Sequence, residues 1–122
     1  MQTILIVGRD LGFAFWLGQI LDSGGYDAFP ARTVQDATDL VRYLPAPIDL
    51  LVVDPETDGI AGFVAAARLT WPLLSVIAAY EQERPEDLLG LDGTFQKPSV
   101  PDGPSEKIWL EMVGHLLRRN PK

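Results

Sequence analysis

The sequence predicts an α/β domain built on a doubly wound, five-stranded parallel sheet. Three observations carry that prediction. Short runs of aliphatic and β-branched residues recur along the chain, and stretches with apolar residues three and four apart separate them. One run, Ile48-Asp49-Leu50-Leu51-Val52-Val53-Asp54, is bounded by Pro47 and Pro55 and is almost continuously apolar. A strand of that kind is buried on both faces and belongs in the middle of a helix-covered sheet. It delivers the Asp54 carboxylate to its C-terminal end, where open α/β sheets collect ligands and chemistry.

In chain order, Thr3-Ile4-Leu5-Ile6-Val7 reads as a central strand ended by Gly8. From Asp10 the period changes: Phe13, Leu17, Ile20 and Leu21, widened by Phe15 and Trp16, make a helical stripe that Gly24-Gly25 stops. Tyr26 to Ala31 is a weaker strand whose Pro30 suits a sheet edge. Thr33 with Asp36 three residues on resembles a capping box. The helix it opens carries Ala37, Leu40, Val41 and Leu44 and closes at Pro45 and Pro47.

Beyond Asp54, Phe63 to Leu69 is helical and Thr70-Trp71-Pro72 interrupts it. Ser75 to Tyr80 is a fourth strand. The acidic stretch Glu81 to Asp87 reads as a loop, and Pro85 opens a short helix through Leu91. Gly93 to Pro98 is a fifth, polar strand. Ser105 is the expected cap of a last helix with the stripe Ile108, Trp109, Met112, Val113, Leu116 and Leu117. Five strand–helix alternations imply right-handed crossovers. The predicted arrangement is flavodoxin-like, in the order 2-1-3-4-5, with its switch point between strands one and three. That places Gly8-Arg9-Asp10 beside Asp54.

The 122 residues fit one domain, and 47% hydrophobic against 22% charged residues is a globular composition. A net charge of −7 argues against nucleic-acid binding, which needs clustered cations. Arg118, Arg119 and Lys122 more simply complement a helix C-terminus. With no cysteine, disulfides, thiolate metal sites and cysteine nucleophiles are excluded. No apolar run reaches the roughly 18 residues of a membrane span, and the N-terminus lacks a signal-peptide pattern, so a cytoplasmic domain is expected. His115, the single histidine, has no ligand or nucleophile partner in sequence and reads as a helix surface residue.

Several motifs, in this order and at these spacings, resemble the receiver domains of two-component response regulators over essentially the whole chain. They are Asp54 followed eight residues later by Gly62, Lys97-Pro98, Gly25-Tyr26, and Pro47-Ile48-Asp49-Leu50. The resemblance implies that Asp54 holds the phosphoacceptor position and Lys97 the phosphoryl-contacting one. It also allows a cis peptide at Lys97-Pro98. Three departures stand out. Gly8 and Arg9 occupy the positions of a cation-binding acid pair, with Asp10 the next acid. Ala79 or Tyr80 stands where the family has a small hydroxyl, and Thr94 where it has an aromatic.

Aspartyl phosphorylation needs a carboxylate nucleophile, a divalent cation and a side-chain cation against the phosphoryl oxygens. For magnesium this chain offers Asp54, the carbonyl of Glu56 and Asp10. A guanidinium at Arg9 would oppose the metal, since two unit charges about 4 Å apart interact by about 4 kcal/mol at an effective dielectric of about 20. The magnesium site is therefore expected to be lost, with Arg9, helped by Lys97, pairing with Asp54 instead.

The leading reading is a non-enzymatic signalling module for a histidine kinase, a phosphotransfer protein or a downstream target. It is expected to bind neither nucleic acid nor membrane. The resemblance implies a homodimer or docking face on helix four, strand five and helix five, near Trp109 and Met112. Glu81, Glu83, Glu86 and Asp87 read as a solvated loop. The rival reading is a small flavodoxin-like protein binding FMN or another phosphorylated ligand, for which Gly8-Arg9-Asp10-Leu11-Gly12 supplies two glycines but no Ser/Thr-rich run.

Overall fold

A computed structural model describes residues 2–44, 47–81, 90–98 and 103–118. Five strands, β1 (Thr3–Val7), β2 (Asp27–Ala31), β3 (Leu50–Val53), β4 (Ser75–Tyr80) and β5 (Gly93–Gln96), form one parallel sheet in the order β2-β1-β3-β4-β5. The helices are α1 (Leu11–Ser23), α2 (Val34–Val41), α3 (Ile60–Thr70) and α4 (Gly103–Arg118). The predicted strand order and doubly wound architecture are thus observed. The expected helix at Pro85–Leu91 falls largely outside the described residues, as do Pro45, Glu83, Glu86, Asp87, Arg119 and Lys122.

Strand periodicity divides the core into two layers. Ile4, Ile6, Leu50, Val52, Ile77 and Ala79 face α1 and α4. Their neighbours Leu5, Val7, Leu51, Val53, Val76 and Ala78 face α2 and α3. Every residue of β1 and β3 is buried, as runs apolar on both faces require. β2 is the edge, and its Pro30 is exposed there. Ala14, Leu17, Ile20 and Leu21 of α1 pack beside Trp109, Val113, Leu116 and Leu117 of α4 over one face.

Three boundaries differ from the sequence reading. α3 starts at Ile60, three residues early, because Gly59 adopts φ +78° as its N-cap, a conformation a β-carbon would strain. α4 begins at Gly103, so Ser105 lies inside it and does not cap it. Pro104 sits in its first turn, where the missing N–H costs no helical hydrogen bond. No peptide among the described residues is cis, so Lys97–Pro98 is trans. As expected, Thr33 caps α2, its Oγ1 accepting from Asp36 N at 3.0 Å.

A buried carboxylate ties the central strands at their start. Asp49 Oδ2 accepts from Thr3 N at 2.8 Å, and Asp49 N donates to Thr3 O at 2.9 Å. Arg68 of α3 does similar work next to β4 and β5. Its guanidinium donates to Leu74 O at 3.4 Å and Gly90 O at 2.5 Å and lies 3.5 Å from Asp92. Asp92 Oδ2 in turn accepts from Val76 N at 2.7 Å.

Candidate functional site

The sheet's hydrogen-bond ladder continues one residue past three strands and so fixes the site. Gly8 N donates to Ala31 O at 3.0 Å, Asp54 N to Val7 O at 2.9 Å, and Lys97 N to Tyr80 O at 2.7 Å. Gly8, Asp54 and Lys97 are therefore anchored through backbone at the C-terminal edge, the first two at the switch between β1 and β3 and Lys97 at the end of β5. Above them opens a cleft of about 650 Å³, lined by Arg9, Asp10, Asp54, Pro55, Glu56, Tyr80, Glu81 and Lys97.

Lys97 is the centre of the cleft's charge. Its side chain is 6% exposed, and Nζ lies 3.5 Å from Asp54 Oδ2 and 3.5 Å from Asp10 Oδ2. Asp54 Oδ1 accepts from Glu56 N at 2.9 Å, which folds the loop back on the acceptor. Asp10 Oδ1 caps α1 by accepting from Phe13 N at 3.0 Å. All four carboxylate oxygens thus have a partner within the chain. The Phe13 ring lies under the ammonium, its centroid 5.1 Å from Nζ, inside cation–π range.

Arg9 corrects one expectation. It is exposed and lines the cleft, but among the described residues it forms no ion pair, with Asp54 or otherwise. Asp54 already has an ammonium held by a buried stem. A solvated guanidinium would have to lose side-chain entropy to displace it. Asp10, in contrast, turns into the site.

Gly8 closes what the acid pair would have opened. A β-carbon there would stand 3.0 Å from the Asp54 β-carbon, so an acid at this position requires Asp54 to give way. Ala79 resolves the ambiguity on β4. It borders, with Gly8, Asp54 and Lys97, a void of about 10 Å³, while Tyr80 lies on the cleft wall. That void is about the size of one water, so beneath the cleft floor Lys97 has little space into which to withdraw. Thr94 stands opposite Ala78 on β5. The ring on this strand is the next residue, Phe95, which packs on Trp109 with centroids 5.8 Å apart.

The sequence reading missed Phe13 as a neighbour of Lys97, the capping role of Asp10, and Asp49. Asp10 was legible in principle, because an acid directly before a helical stripe is an N-cap signature. His115 is exposed, as expected, and Trp109 is buried. Among the described residues no cluster of three metal-ligating side chains is found, and no helix is long and apolar enough to cross a membrane.

No protein-family model and no curated protein matches this sequence, so the likeness rests on the fold. Solved structures share it over nearly the full chain. A CheY-like response regulator receiver domain protein from Methanospirillum hungatei is 21% identical, with a TM-score of 0.78 over 98% of this chain and 96% of that one. The N-terminal domain of a response regulator/sensory box/GGDEF 3-domain protein from Carboxydothermus hydrogenoformans is 23% identical, with a TM-score of 0.76 over 96% and 94%. The chemotaxis response regulator CheY4 of Vibrio cholerae is 18% identical, with a TM-score of 0.74 over 95% and 98%. The chain therefore has the fold of CheY-like receiver domains.

Proposed function

We propose that this chain is a divergent receiver-type signalling domain with weak or absent magnesium-dependent phosphorylation at Asp54, acting through protein–protein contacts. One observation carries the reading: a strand-end carboxylate and a buried lysine meet 3.5 Å apart at the sheet's switch point. Its partner would be a histidine kinase, a phosphotransfer protein or a downstream target. The face of β5 and α4, where Ile108 is exposed, is the proposed docking or dimer surface.

The residues present do not fit a magnesium ion. Magnesium needs near-octahedral oxygen ligands at about 2.0–2.1 Å. The two carboxylates that could supply them already share the Lys97 ammonium, and each uses its second oxygen on a backbone N–H. A β-carbon at the Gly8 position would crowd Asp54. No phosphoryl-transfer step through a metal follows from this arrangement.

Two functions remain for Lys97 and Asp54. The ammonium balances the acceptor carboxylate, and together they make a cleft whose charge a partner can read or alter. An FMN-type reading is disfavoured by Asp10: its carboxylate occupies the N-terminus of α1, where a phosphate would otherwise receive the free amides.

Incubation with acetyl phosphate and Mg²⁺, followed by intact mass spectrometry beside an Asp54→Asn control, tests the proposal. The expected result is little or no phosphoryl adduct on either protein. A stable, stoichiometric adduct on the wild type that is absent from the control would overturn it.

A further inference from the structure

The aromatic rings beneath the cleft form a continuous path away from it. Phe13 lies under the Lys97 ammonium, and its ring centroid is 5.5 Å from that of Trp109, edge to face at 63°. Trp109 then meets Phe95 of β5 at 5.8 Å. These separations fall within the range in which ring pairs attract beyond simple burial. Trp109 is 3% exposed, whereas Phe95 is half-buried, so the path leads through the core to a partly exposed ring on β5. Ala79 and Thr94 leave no hydroxyl–aromatic pair at the positions where the resemblance would place one.

We propose that Phe13 is a positioning residue for Lys97 and that it transmits a change in the charge of Asp54 to Trp109 and Phe95. The physical basis is contact. Lys97 Nζ is held by two carboxylates and one ring, with a void of only about one water on its inner side and the open cleft on the other. When Asp54 loses its charge, the ammonium is drawn towards Asp10, the remaining carboxylate. The ring against which the ammonium rests then follows it, and Trp109, in edge contact with that ring inside a close-packed core, follows the ring. The inference rests on the reading of the cleft as the signalling site, but not on phosphorylation.

The test uses ¹⁵N-labelled full chain and follows the indole N–H resonances of Trp16, Trp71 and Trp109. Asp54→Asn, which removes the charge at nearly constant shape, is expected to shift Trp109 and the Phe95 amide. Trp71 lines a groove at the opposite end of the sheet and is expected to stay in place. In a Phe13→Leu background the Trp109 shift is expected to vanish, and in Phe13→Tyr, which keeps the ring, to return. If Phe13→Leu loses the dispersed amide spectrum of a folded chain, Phe13→Met replaces it. The proposal is overturned if Asp54→Asn leaves Trp109 unmoved, or if the shift persists undiminished without the ring. A failed phosphorylation assay leaves this test intact, because no phosphodonor is used.

Discussion

A β-carbon placed on Gly8 would stand 3.0 Å from the β-carbon of Asp54. The backbone of β1 thus passes the acceptor carboxylate at a distance that suits glycine. Gly8→Ala is expected to be near neutral, the tight contact offsetting the gain from a stiffer unfolded chain. Gly8→Asp adds a third carboxylate beside Asp54 and Asp10 and is expected to lose about 1–3 kcal/mol. Urea denaturation of the two variants against wild type measures the difference, and equal stabilities would contradict it.

Lys97 serves two acids, so its removal leaves more charge unbalanced than removal of either acid. Lys97→Met is expected to cost about 1–3 kcal/mol, less than for a fully buried pair because Asp10 and Asp54 keep some solvent. Asp54→Asn leaves the ammonium paired to Asp10 and is expected to cost less than Lys97→Met. Denaturation midpoints of the two single variants rank them.

Arg68 bridges α3 to the starts of β4 and β5 with a forked donor set. Lysine cannot reproduce that fork. Both Arg68→Ala and Arg68→Lys are therefore expected to lose about 1–2 kcal/mol, close to each other. Amide exchange at Val76 and Asp92 is expected to quicken in both. Full protection in the lysine variant would assign Arg68 the role of a charge alone.

Asp49 is buried at the start of β3 and holds the Thr3 amide of β1. Asp49→Ala leaves that N–H without its acceptor, at an expected cost of about 1–3 kcal/mol. A thermal or urea melt unchanged from wild type would refute this strand-clamping role.

The fold was legible because hydrophobic spacing determines it. The runs at 3–7, 50–53 and 75–80 are apolar on both faces, and such segments have few alternatives to a central parallel strand. Asp54 and Lys97 were legible as positions, since strand ends place them. The contacts between them were not. Arg9 and Asp10 are adjacent, and although local sequence marks Asp10 as the cap of α1, it does not say which of the two meets the site's lysine. The answer lies in the N-cap geometry of α1 and in a lysine 87 residues further on. Phe13 looks like one more member of a helical stripe, and its place under Lys97 depends on how α1 packs against α4 and on the position of the residue that follows β5. The start of α4 was misjudged because Ser105 is a good cap by type, while the proline before it was equally fit for a first turn.

The proposed function makes Lys97, and not a divalent metal, the cation of this cleft. The decisive measurement is a titration of ¹⁵N-labelled protein with MgCl₂, beside NaCl at matched ionic strength. The amides of Asp10, Asp54 and Glu56 are expected to respond alike to the two salts, without saturation. A saturable millimolar response at those amides, seen with magnesium and not with sodium, would contradict it.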